Sequence, residues 1–182
     1  GSAGNTIIGY DASSSTAGAY TTSMGYEVGS SNTGSFNALF GSKVLNAAGS
    51  GGSNSGCGAF AMQQATGTRN SALGYQTLRS VTGADNAGIG YQSGRSITTG
   101  TGNFCGGGRD AGRSITTGID NTVLGTDAGA TGTNDLTTGS NNILIGHDAT
   151  VSSADVSNEI TLGDSNISSL RCEVTSITAL SD

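Results

Sequence analysis

A five-residue unit recurs along this chain: Asn, two small or apolar residues, a large apolar residue, then Gly. A unit repeated at such short intervals restricts the chain to an architecture built by stacking similar turns. The clearest copies are Asn5-Thr6-Ile7-Ile8-Gly9, Asn37 to Gly41, Asn70 to Gly74, Asn86 to Gly90, Asn121 to Gly125 and Asn142 to Gly146. Degenerate copies run from Thr21 to Gly25, Cys57 to Ala61, Asn103 to Gly107 and Glu159 to Gly163. The closing residue of the ten copies falls at 9, 25, 41, 61, 74, 90, 107, 125, 146 and 163, so the interval ranges from 13 to 21 residues. One heptapeptide, GRSITTG, occurs twice, at 94–100 and 112–118.

Stacking the copies gives columns. The residue before the closing position reads Ile8, Met24, Phe40, Phe60, Leu73, Ile89, Gly106, Leu124, Ile145 and Leu162, large and apolar in nine of ten. Two residues earlier, on the same side of a strand, stand mostly small residues, among them Thr6, Thr22, Ala38, Ser71 and Ala87. Large beside small suits a narrow interior, so the first column is expected to form the core. The opposite side reads Ile7, Ser23, Leu39, Ala59, Ala72, Gly88, Cys105, Val123, Leu144 and Thr161; it is uncharged and is expected to bury itself against another chain.

Four or five residues in this alternation make a short strand, and the glycine permits a turn that a Cβ would block. A second extended piece follows: Val81-Thr82, Ile97-Thr98-Thr99, Ile115-Thr116-Thr117 and Leu136-Thr137-Thr138, each ending in Gly. Helix is disfavoured by the density of Gly, Ser, Thr and Asn. The pattern predicts an all-β solenoid of about ten rungs over residues 1–163, which at ~4.8 Å per strand would be roughly 45–50 Å long. A non-repetitive segment, 164–182, follows. The 32 glycines and 11% charged residues leave few large apolar groups, about one per rung, so a single chain is expected to need partners along its whole length. A parallel homotrimer is the natural fibre.

The net charge of −6 and seven scattered Lys and Arg residues exclude a nucleic-acid surface, which needs clustered cations. No apolar run approaches the ~18 residues of a membrane-spanning helix. Cys57, Cys105 and Cys172 lack metal-ligand spacing. No catalytic constellation, metal set or cofactor motif emerges, so a non-enzymatic role without cofactor is expected.

The N-x-x-Φ-G-Y-x-A-G repeat with intervening S-x-T-T-G, over residues 5–163, resembles the repetitive fibres of bacteriophage tails, especially of marine and cyanobacterial phages. It is also similar to the Asn- and Gly-rich β-roll of trimeric autotransporter adhesin heads. The stretch from Ile160 through Ser169-Leu170-Arg171-Cys172-Glu173-Val174 to Leu180-Ser181-Asp182 resembles the segment preceding an endosialidase-type intramolecular chaperone domain. The resemblance implies a homotrimeric fibre in the virion tail, joined to other tail proteins and binding a host-surface glycan or protein receptor. It also implies a chaperone that trimerises the fibre and is released at a Ser-Asp step, which Ser181-Asp182 matches. The alternative it leaves open is a bacterial cell-surface adhesin head or extracellular filament. The spaced apolar residues Ile167, Leu170, Val174, Ile177 and Leu180 would then close the trimer.

Candidate receptor contacts are the four tyrosines after the glycine, Tyr10, Tyr26, Tyr75 and Tyr91, paired in adjacent rungs. Aromatic faces stack on sugar C–H groups and phenol hydroxyls hydrogen-bond. The lone histidine, His147, holds the same slot and is expected at the solvent edge. Acidic residues Asp11, Glu27, Asp127 and Asp148 recur one position later and are expected to form a solvated face. The Thr-Thr-Gly copies could present a flat threonine array.

Overall fold

The computed structural model describes residues 4–13, 18–47 and 49–171. It is a β-solenoid without helix among those residues. Its strands are β1 (Thr6–Ile8), β2 (Thr22–Tyr26), β3 (Ala38–Ser42), β4 (Ser55–Ala59), β5 (Ser71–Leu73), β6 (Ala87–Ile89), β7 (Phe104–Gly106), β8 (Thr122–Leu124), β9 (Ile143–Ile145) and β10 (Ile160–Leu162). They form one parallel sheet in sequence order. Rung n is here the coil containing strand βn. Register follows the repeat: Met24 opposes Phe40, Leu73 opposes Ile89 and Leu124 opposes Ile145.

The fourth rung corrects the sequence alignment. Phe40 pairs with Cys57 and Gly41 with Gly58, so the unit there is Asn54-Ser55-Gly56-Cys57-Gly58. Its glycine lies 17 and 16 residues from Gly41 and Gly74, in place of the irregular 20 and 13. Phe60 is therefore outside the apolar column. It sits two residues past the glycine, half-buried, with a φ of 60°.

The expected interior and exterior are exchanged. Ile8, Met24, Phe40, Leu73, Ile89, Ile145 and Leu162 are all exposed, and Leu124 is half-buried. Leu39, Cys105, Val123 and Leu144, from the side expected to meet another chain, are fully buried. Alternation says which residues share a face, and the bend of the chain after the strand says which face is inside. The interior also takes a column four residues past the glycine, Leu45, Met62 and Leu78, and the second extended pieces through Val81, Ile97, Ile115 and Leu136. In rungs 4 and 6 these groups fill the coil so far that only glycine fits on the strand opposite them. A Cβ on Gly56 would strike Val44 and Met62, and one on Gly88 would strike Thr77 and Leu78. Rungs 3, 5, 8 and 9 thus bury two or more large apolar side chains where one is expected, and the chain carries its own core.

The second extended pieces are not strands, yet they stack. Thr82 N donates to Thr98 O, Thr98 N to Thr116 O, and Thr116 N to Thr137 O, at 2.8–2.9 Å. The two glycine columns differ in purpose. Gly74 has a φ of 134°, and a Cβ there would run into the carbonyl of Gly90. Gly100 has no such dihedral, yet a Cβ there would also run into the carbonyl of Gly118. The coil bends through residues held at positive φ, including Glu27, Lys43, Gln76, Gln92 and Asp127 in one column. Each non-glycine residue there costs about 1–2 kcal/mol, which the inter-rung hydrogen bonds must offset.

The Asn of the repeat is buried at Asn37, Asn54, Asn70, Asn86, Asn103, Asn121 and Asn142. In rungs 6 to 9 its side-chain oxygen accepts the backbone N–H of the residue in the next rung's slot, an Asn in each case until Glu159 takes that place in the tenth (2.9–3.1 Å). Its amide nitrogen donates to the carbonyls of Gly100, Gly118, Gly139 and Val156 in turn. One side chain therefore satisfies two backbone groups that the tight turn strands away from water, which is why the slot requires a donor and an acceptor together.

Candidate receptor-contact surface

The tyrosine slot directly follows the glycine, where the chain leaves the sheet. Tyr10 and Tyr26 stack with centroids 5.4 Å apart and planes 8° from parallel; Tyr75 and Tyr91 stack at 5.2 Å and 12°. All four are exposed. The separation follows from the rung spacing, since equivalent residues in adjacent rungs must lie about one strand spacing apart. Phe60 meets the edge of Tyr75 at 5.8 Å, extending that ladder to three rings. Stacking covers one face of each ring within a pair. In the next rung the same slot holds Ser42 beyond Tyr26 and Arg109 beyond Tyr91, since Asp110 N donates to Tyr91 O as Gln92 N does to Tyr75 O.

Polar groups border the second ladder. Gln92 Nε2 donates to Gln76 Oε1 at 3.0 Å, and the two amides lie 3.4 Å from the hydroxyls of Tyr91 and Tyr75. Beside the first ladder, the Tyr26 hydroxyl bonds Glu27, which raises the phenol's pKa and, with Lys43 3.4 Å away, lowers that of the carboxylate. A third aromatic pair escaped the sequence reading. Tyr20 and Phe36 stack at 5.3 Å and are exposed on the opposite border of the sheet, before β2 and β3. Their 16-residue separation, equal to the repeat interval, was the available signal.

The acidic slot is a backbone position. Asp11, Glu27, Asp127 and Asp148 all have φ between 50° and 57°, and Asp is among the few residues that enter this region readily. Lys43, Gln76 and Gln92 fill the same column, so it carries mixed charge. His147 is exposed, with Nδ1 3.2 Å from an Asp148 oxygen. Asp127, His147 and Asp148 offer ligand atoms within 4.8 Å of one another, while Asp127 also pairs with Arg109 at 2.8 Å. The threonine array is internally engaged: the hydroxyls of Thr82, Thr98, Thr116 and Thr137 donate to carbonyls of the following rung at 3.1–3.2 Å.

Cys105 is enclosed and its thiol is pushed up to about 12 by burial, whereas Cys57 is exposed on the outer sheet face. Beside it the small residues Ser55, Ser71 and Ala87 leave a recess of about 250 Å³ between Cys57, Leu73 and Ile89. Past Gly163 the repeat stops; Ile167 folds over that glycine, and Ile167 and Leu170 are exposed. Val174, Ile177, Leu180 and the expected junction Ser181-Asp182 lie outside the described residues. Among the described residues no helix is long and apolar enough to cross a membrane. No protein-family model matches the chain, and neither the curated proteins nor the solved structures give a match.

Proposed function

We propose that this chain is a structural and host-surface adhesion segment of a phage tail fibre, working as a parallel homotrimer and binding a cell-surface receptor, of which a glycan fits best. The observation that carries the adhesive part is the pair of exposed tyrosine ladders on a rod whose backbone is tied rung to rung. A rod of this kind holds aromatic faces at fixed separation with little entropy left to lose on binding, and preorganisation of that sort favours affinity. The exposed rings of Tyr75 and Tyr91 would pack against a sugar ring, with the Gln76 and Gln92 amides beside them and Arg109 in the next rung as hydrogen-bond donors to its hydroxyls. The tail-fibre part rests on the sequence resemblance, and the trimer on the uncharged, apolar outer face of the sheet.

Binding of the native protein to host cells and to a glycan panel tests this. Tyr75→Ala with Tyr91→Ala should weaken binding at least tenfold with an unchanged circular dichroism spectrum, and Tyr10→Ala with Tyr26→Ala reports the other ladder. Undiminished binding by both double variants would refute the tyrosine assignment. Native mass spectrometry giving one 17.8 kDa chain would refute the trimer.

A further inference from the structure

The outer face of the sheet is the largest feature that the coil itself leaves unexplained. No charged residue occurs in any of the ten strands. The apolar column runs from Ile8 to Leu162, seven of its eight large residues at 39–53% exposure and Leu124 half-buried, with Ile143 and Ile160, at 38% and 67%, widening it at one end. A large apolar residue presents roughly 200 Å² when open, so nine such residues at about half exposure offer on the order of 900 Å², close to the ~800 Å² per partner of a stable interface. Monomeric proteins seldom expose a continuous apolar patch of that size, and depletion of charge marks the centre of interfaces.

From this face we infer that the sheet packs against the same face of further copies of this chain, parallel and in register, around an axis along the solenoid. The inference rests on the parallel association proposed above and adds the register, equivalent rungs meeting side by side so that Cys57 faces Cys57. The borders of the face decide direction. In rungs 1 to 3 one border carries Tyr10 and Tyr26 and the other Tyr20 and Phe36, all exposed. Parallel packing sets the aromatic border of one copy beside that of the next. Antiparallel packing would set it against Asn141 and Asn158 near the other end, both exposed and polar. Register follows from the same borders, because only the first three rungs carry them on both sides. In this arrangement Cys57, in rung 4, approaches its own counterpart, whereas an antiparallel pair places it about three rungs, roughly 14 Å, from that counterpart, beyond disulfide reach.

The test is cross-linking of the native protein carrying Cys172→Ser, oxidised with diamide, beside its native mass. Parallel packing gives a covalent dimer through Cys57, with no more than two of every three chains linked in a trimer. A second variant, Ile8→Cys with Cys57→Ser and Cys172→Ser, should also self-link at the first rung. Leu73→Asp should abolish the oligomer while the circular dichroism signal of the coil is kept. A trimeric mass without either cross-link, and undisturbed by Leu73→Asp, would overturn the assigned face and leave the trimer standing. Linking of Ile8→Cys chains only to Leu162→Cys chains would overturn the parallel direction. A monomeric mass would remove the association itself, and this inference with it.

Discussion

Asn103→Ala isolates the energetic role of the asparagine column. Asn103 is 1% exposed. Its oxygen accepts from the backbone N–H of Asn121 at 3.1 Å and from the Asn121 amide at 2.9 Å; its nitrogen donates to Gly118 O at 2.8 Å and Asn86 Oδ1 at 3.0 Å. Truncation leaves some of these groups satisfied. Asn86 Oδ1 still accepts from the backbone of residue 103, and the Asn121 amide still reaches Gly139 O. The Asn121 N–H and the Gly118 carbonyl lose their partners in a space closed to solvent. At about 1–3 kcal/mol for each buried orphan, the variant should lose roughly 2–5 kcal/mol per chain. Because the stability of stacked rungs is approximately a sum of neighbour terms, the damage should centre on the interface of rungs 7 and 8. Urea denaturation gives the total, and hydrogen exchange locates it, with protection lost first at Asn121 and Thr122. Thr99→Ala, at an exposed position, is the control. If both variants fall within about 0.5 kcal/mol of the parent, typical of neutral surface changes, the asparagines are not what secures the turns.

Other outcomes follow from single positions. Gly74→Ala should abolish soluble protein, since a Cβ meets backbone and φ is 134°, whereas Gly106→Ala, with its nearest neighbour at 3.5 Å, should express normally. Cys105 should resist thiol reagents at pH 8–9 until the protein is unfolded, because burial pushes its thiol up to about 12. The Arg69 guanidinium, 2.6 Å away, holds the Asp85 carboxyl below its ordinary value. A depressed carboxylate stabilises the fold above its unfolded pKa of about 3.9, and that contribution is lost as pH falls through the folded value. In an NMR titration Asp85 should therefore protonate below the ordinary Asp range, and Arg69→Gln should move its midpoint up.

The repeat made the solenoid legible before any coordinates. Ten phased units, glycine at each close and no tolerance for helix left one parallel sheet in sequence order as the economical solution, and the paired tyrosines were readable as ladders because a fixed interval becomes a fixed height. Three things required the tertiary structure. The alignment of the fourth unit depended on Gly58 meeting Gly41, although Phe60 looked like the better apolar match. The acidic slot proved to be a left-handed backbone position, a dihedral that composition does not display. Which side of each strand faces inward depended on residues four to seven positions past the glycine, Leu78 and Val81 in one coil, which curl back over the strand and fill the interior. Period-two alternation is symmetric between the two faces of a strand. Only the path of the chain after the turn breaks that symmetry, turning Ala72 inward and leaving Leu73 outside.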